Sequence, residues 1–148
     1  MASPRGKKIL AAGADLALSE QIGVALEERG YSLRKASSLR ETVQNLLRYS
    51  PDLVLVESGM LSPQLNRWET CRRIREVSDV PIIVITDGTN EEDPLNCLRE
   101  GADDCLVQPL IPEELVARME ALFRRREWEE AKVETHIAGG YLHPFRLR

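Results

Sequence analysis

Four short apolar runs punctuate the chain: Ile9–Ala12, Leu53–Val56, Ile82–Ile85 and Leu106–Val107. Each is too short for a helix and apolar without alternation. Pro51 and Pro81 introduce the second and third runs, which is how strands covered on both faces of a parallel sheet read. Between the runs, apolar residues recur at i, i+4, i+7 and i+8 in three places: Leu18, Ile22, Ala25, Leu26; Leu39, Val43, Leu46, Leu47; and Leu115, Met119, Leu122, Phe123. These stripes predict three helices with one buried face each. Ser38 followed by Glu41 is a capping box for the second of them, and Pro112 suits a first helical position, where no N–H is needed. A weaker strand, Tyr31–Lys35, follows Gly30, a helix stop. Poorer stripes near Trp68–Val77 and Glu92–Glu100 complete five alternations of strand and helix.

Strict alternation with short connections predicts an α/β fold, a doubly wound five-stranded parallel sheet with helices on both faces. Chemistry in such folds lies beyond the carboxyl ends of the strands. The residues at those ends are Gly13, Ala14 and Asp15; Glu57, Ser58 and Gly59; Thr86, Asp87 and Gly88; and Gln108 with Pro109.

Composition narrows the class. At 148 residues, 43% hydrophobic and 30% charged, the chain is one domain's worth and buries a core without disulfides or a structural metal. Three cysteines, Cys71, Cys97 and Cys105, fit neither a secreted disulfide scaffold nor a zinc spacing, which points to a reducing cytoplasm. Twenty basic against twenty-four acidic residues, a net charge of −4, disfavour direct binding of DNA by this piece. No leader pattern opens the chain, and no apolar run approaches the ~20 residues that span a bilayer.

The stretches "KKIL", "ALEERGY", "SPDLVLVE", "CRRIRE", "SDVPIIVIT", "EGADDCLVQPL" and "PEELVARMEALFRRR", in that order over roughly residues 7 to 126, resemble the receiver domains of two-component response regulators of the OmpR/PhoB branch. The resemblance implies a CheY-like fold and a signalling role, not an enzyme. It also places the family's phosphorylation site on residues that cannot perform it. The two acidic magnesium ligands fall on Gly13 and Ala14, the phosphoacceptor aspartate on Glu57 and the phosphate-contacting lysine on Gln108. Thr86 and Pro109 match, and Asp15 corresponds to a third acidic position.

Magnesium demands near-octahedral oxygen coordination and usually takes one or two carboxylates, so Glu57 alone makes a thin site. Its extra methylene displaces a would-be nucleophile by roughly an ångström, enough to cost about a hundredfold in rate. No metal, no cofactor and no phosphotransfer are therefore expected. With two carboxylates and an ammonium gone, Glu57 is expected to accept hydrogen bonds from the Thr86 hydroxyl and the Gln108 amide. Two readings of Glu57 stay open: a fixed mimic of the phosphorylated state, or a solvated remnant.

Other features carry weaker expectations. The stretch "SGMLSPQLNRW" is about two residues longer than its family counterpart, which reads as a tolerated insertion or a cover bringing in Arg67, with Trp68 anchoring it. Cys105 stands at the family's switch-aromatic position. With acidic Asp103 and Asp104 beside it, it reads as inert packing, as do Cys71 and Cys97. His136 and His143, far from any cysteine, do not suggest a metal site.

Asp103, Asp104, Glu114 and Arg118 match charged positions of the branch's symmetric dimer face, formed by the fourth helix, fifth strand and fifth helix. Its usual basic residues are replaced by Pro94, Leu95 and Asn96. A homodimer is expected through this face. Residues 1–126 read as the receiver-like domain and 127–148 as a helix extension and tail. There "REWEEAKVE" continues the last helix, and "GGYLHPFRLR" resembles the opening strand of a winged-helix DNA-binding domain. The expectation is a phosphorylation-independent receiver that regulates transcription through an attached DNA-binding domain. The alternative is a stand-alone adaptor that binds a partner protein through the same face.

Overall fold

The computed structural model describes residues 6–13, 16–57, 67–88 and 93–138. Five strands, β1 (Lys8–Ala12), β2 (Ser32–Ala36), β3 (Leu53–Glu57), β4 (Ile82–Thr86) and β5 (Asp104–Val107), alternate with five helices. These are α1 (Leu16–Glu28), α2 (Leu39–Arg48), α3 (Arg67–Val77), α4 (Asp93–Arg99) and α5 (Pro112–Ala138). All strand pairs are parallel, in the order β2-β1-β3-β4-β5. The order reverses between β1 and β3, so the switch point lies at the ends of those two strands.

Two-residue periodicity splits the core into two layers. Ile9, Leu53, Leu55, Ile83, Ile85 and Leu106 face one side, where Ile22 and Leu26 of α1 and Leu115, Met119, Leu122 and Phe123 of α5 cover them. Leu10, Ala12, Val54, Val56, Ile82 and Val84 face the other, under Leu46 of α2, Trp68, Cys71 and Ile74 of α3 and Cys97 of α4. Each fully buried side chain of this size contributes roughly 1.5–3 kcal/mol, and the interior strands β3 and β4 are buried throughout.

The helix ends follow local chemistry. The N–H of Tyr31 reaches the Leu26 carbonyl and that of Gly30 the Glu27 carbonyl, with Gly30 at φ +92°, a Schellman stop for α1. Ser38 caps α2, its side chain accepting from the Glu41 N–H at 3.0 Å. The return bond of the predicted capping box falls one residue early, since the Glu41 carboxylate accepts from the N–H and hydroxyl of Ser37.

Two expectations need correction. Leu47 is 69% exposed, and fully buried Thr42 joins Leu46 on the core face of α2. Thr42 tolerates burial because its hydroxyl donates to the Ser38 carbonyl, 2.8 Å away. The fifth strand is not covered on both faces: it starts at Asp104 and forms a sheet edge, which leaves Val107 52% exposed. Helix α5 runs unbroken through residues 126 and 127, while the expected Gly-Gly turn and strand beyond residue 138 lie outside the described residues.

Candidate functional site

The carboxyl ends of the strands bring Gly13, Glu57, Thr86 and Gln108 to one end of the sheet. Gly13 follows β1 and donates its N–H to the Ala36 carbonyl at 2.9 Å, which fixes it beside the switch point. Glu57 closes β3, pairs in register with Ile85 and is only 4% exposed. Gln108 continues the β5 ladder by donating its N–H to the Thr86 carbonyl at 2.8 Å, and the Gln108–Pro109 peptide bond is cis.

The Glu57 side chain lies over Gly13. A Cβ built on Gly13 would stand 2.9 Å from Glu57 Cδ and 3.0 Å from both its Cβ and Oε2. The glycine and the longer acidic side chain are therefore complementary: Glu57 occupies space that any side chain at position 13 would need. Strand parity accounts for the meeting, since Ile9 and Leu55, two-residue steps back along the two strands, point into the same core layer.

The same parity separates Thr86 from Glu57. Thr86 shares a face with Ile82 and Val84, in the layer opposite to that of Leu55, and its buried hydroxyl has no hydrogen-bond partner among the described residues. Glu57 is also not a solvated remnant, because it ends a central strand under cover.

These residues do not fit a magnesium ion. Gly13 offers no side-chain ligand and has no room for one, and Ala14 has no side-chain donor atom. No group of three or more His, Cys, Asp or Glu able to hold a metal occurs among the described residues. Asp15 and the stretch 58–66 lie outside the described residues, and nothing is described of the Arg67 side chain. Trp68 is buried against the second core layer.

Residues 9–120 match the family model of the response regulator receiver domain. The chain belongs to this family. It is 32% identical over 146 residues to the phosphate regulon transcriptional regulatory protein PhoB of Pseudomonas aeruginosa, covering 97% of this chain and 63% of that one. It is 33% identical over 127 residues to the DNA-binding response regulator MtrA of Mycolicibacterium smegmatis, covering 86% and 55% respectively. The chain thus spans between half and two thirds of the length of these relatives. A crystal structure of a two-component response regulator from Clostridium difficile superposes with a TM-score of 0.75 at 32% identity, over 81% of this chain and 98% of the other.

The receiver's α4–β5–α5 side holds the four charged residues singled out from sequence, but they are engaged within the chain. Arg118 Nη1 lies 3.4 Å from Asp104 Oδ2, and Nη2 lies 3.8 Å from Glu114 Oε1. Asp103 points elsewhere: its Oδ2 accepts from the Ile82 N–H and pairs with Arg75 Nη2, both at 2.8 Å. Arg75 also donates to the carbonyls of Gly101 and Val80, so Asp103 belongs to a clamp that ties α3 to the starts of β4 and β5. Asp103→Ala should therefore cost about 1–3 kcal/mol, because the buried Ile82 N–H loses its acceptor. The check is a lower urea midpoint at unchanged m, with Asp103→Asn falling in between because its amide oxygen still accepts. Three apolar side chains here are solvent-exposed: Leu95 on α4, Val107 on β5 and Ile111 before α5 are 50%, 52% and 57% exposed. Sequence gives no sign of this exposure for Val107 and Ile111, which follow apolar Leu106 and Leu110.

The three cysteines, from α3, α4 and β5, converge in the second core layer. Cys71 and Cys97 are buried and Cys105 packs against the same cluster from its half-buried position. Burial pushes the Cys71 thiol up to about 12. The Cys97 thiol is raised first by its hydrogen bond with Cys105 and then by burial.

Proposed function

We propose that this is a receiver domain that no longer takes up phosphate and that regulates transcription through association, or other protein contacts, of an attached DNA-binding domain. The observation that carries this reading is the packing of Glu57 over Gly13. Aspartyl phosphate chemistry needs a carboxylate in line with a phosphoryl donor and a cation to offset the charge that develops. Here the carboxylate is covered, the position-13 ligand has no space and Gln108 supplies no positive charge. The Thr86 hydroxyl, lacking a bond to Glu57, argues against a standing mimic of the phosphorylated state and for a site whose conformation is fixed by packing.

Attachment to a DNA-binding domain is supported by the reach of the similarity. The alignment with PhoB extends over 146 residues, beyond the 9–120 matched by the receiver model, so the resemblance continues into the α5 extension. A cytoplasmic setting is part of this reading, since an attached DNA-binding domain works there; no helix among the described residues is long and apolar enough to cross a membrane. For association, α4, β5 and α5 with the residue before it offer the exposed apolar side chains Leu95, Val107 and Ile111 and the charged Asp104, Glu114 and Arg118, the mixture that interfaces use.

The decisive experiment is incubation with acetyl phosphate or phosphoramidate and magnesium. The intact mass should not change. A stable phosphoryl adduct on Glu57 would overturn the proposal, and submillimolar binding of magnesium would count equally against it.

A further inference from the structure

We infer that Cys97 and Cys105 form a modification site, a dithiol that a hydroperoxide converts into an intramolecular disulfide joining α4 to β5. Two observations place the two sulfurs in one neighbourhood. Cys97 Sγ lies 3.1 Å from the carbonyl oxygen of Asp104, the residue bonded to Cys105. Both side chains pack in one core layer, Cys97 within it and Cys105 at its margin. Neither cysteine belongs to a recognisable motif, so only the fold reveals the pair.

Asp103 and Asp104, acidic neighbours of Cys105, disfavour a thiolate. In the fold Asp103 is paired with Arg75 and Asp104 with Arg118, so a guanidinium offsets each carboxylate in part, while Asp104 still raises the Cys97 thiol. Asp104 Oδ1 further accepts from the Cys105 N–H at 2.8 Å, which holds the backbone at the reacting residue. The two thiols also differ in access, since Cys97 is 1% exposed whereas Cys105 is half-buried.

That difference assigns the order of events. The Cys105 sulfur, as thiolate, attacks one oxygen of the hydroperoxide and breaks the O–O bond. Cys105 becomes a sulfenic acid, and the departing oxygen leaves as water or alcohol after taking a proton. The Cys97 sulfur then attacks the Cys105 sulfur, forming the S–S bond and breaking S–O, while its own proton leaves with the hydroxyl as water. Two electrons pass from the two thiols to the peroxide, and a dithiol reductant reverses the change. Burial of Cys97 beside the nascent sulfenic acid favours the disulfide over further oxidation.

The disulfide would fix α4 against β5, two of the three elements on the side assigned to association. That consequence rests on the proposed function, whereas the chemistry of the pair does not. The test uses the intact 148-residue chain, reduced, freed of reductant, exposed to hydrogen peroxide and quenched with N-ethylmaleimide. Expected results are an intact mass lower by two hydrogens, loss of alkylation at Cys97 and Cys105 together, and a Cys97–Cys105 linked peptide that disappears with dithiothreitol. Cys71→Ser should keep the link. Cys105→Ser should abolish it, and Cys97→Ser should leave Cys105 to accumulate as the sulfenic acid, trapped by dimedone, with circular dichroism confirming that each variant is folded. A link from Cys71 to Cys105, or peroxide-treated protein in which both cysteines remain alkylatable, would overturn the assignment. Because peptide mapping requires no association, failure of the disulfide and failure of the dimer are read separately.

Discussion

Gly13→Ala should destabilise the fold by about 1–3 kcal/mol, although the change is ordinarily favourable in a backbone such as this. Gly13 has no left-handed φ, so alanine is compatible with its conformation and restricts the unfolded chain, an effect worth about 0.4–1 kcal/mol in favour of the variant. Packing opposes it. The new methyl carbon would stand 2.9 Å from Glu57 Cδ and 3.0 Å from Glu57 Cβ. The Cδ end could swing aside in an open site, but Glu57 is covered, and its Cβ is fixed by a central strand paired to β1 and β4. Urea denaturation should show a lower midpoint at unchanged m. The double variant with Glu57→Ala should cost less than the sum of the single changes, by more than the roughly 0.5 kcal/mol expected of independent sites. Gly13→Ala as stable as the parent would mean that Glu57 does not occupy this space, and the case for a packed, phosphate-free site would lose its main support.

This contact shows where sequence reading stops. The interior strands were legible because a strand covered on both faces must be apolar at every position, as Leu53–Val56 and Ile82–Ile85 are. The stripe of α5 was legible because Leu115, Met119, Leu122 and Phe123 recur with the helical period and no polar competitor. The stripe of α2 was misread by one position, since Thr42 hides its hydroxyl in a local bond that hydrophobicity cannot register. β5 was misread because its apolar residues do not say which strand ends the sheet.

At the site itself, the missing ligands were visible as residue types, but their arrangement was not. Whether Glu57 meets Gly13 or Thr86 depends on which face of the sheet each leaves, and hence on register between strands distant in sequence. Cys97 and Cys105 posed the same problem. Their spacing matches no motif, and only the packing of α4 on β5 brings the thiols together.

Arg118→Glu should leave a folded monomer if the α4–β5–α5 side is the proposed association surface. Within one chain Arg118 is half exposed and pairs with Asp104 at 3.4 Å and Glu114 at 3.8 Å. Such exposed pairs contribute under about 1 kcal/mol, so the fold should survive. Across a two-fold interface every contact occurs twice, and closure of the patch strips away the solvent that screens each pair. Reversing the charge then sets acid against acid at two equivalent points. That penalty can reach several kcal/mol where the groups are desolvated, enough to dissociate a micromolar dimer. Adding Asp104→Arg should restore association in part, because the exchanged pair regains its Coulomb attraction. Recovery should stay incomplete, since Asp104 also holds the Cys105 N–H and an arginine offers no acceptor in its place. Light scattering and sedimentation velocity of the parent and both variants would decide the matter. An Arg118→Glu variant that remained dimeric would move the interface off this side of the receiver, leaving the exposed apolar residues there to a different protein partner.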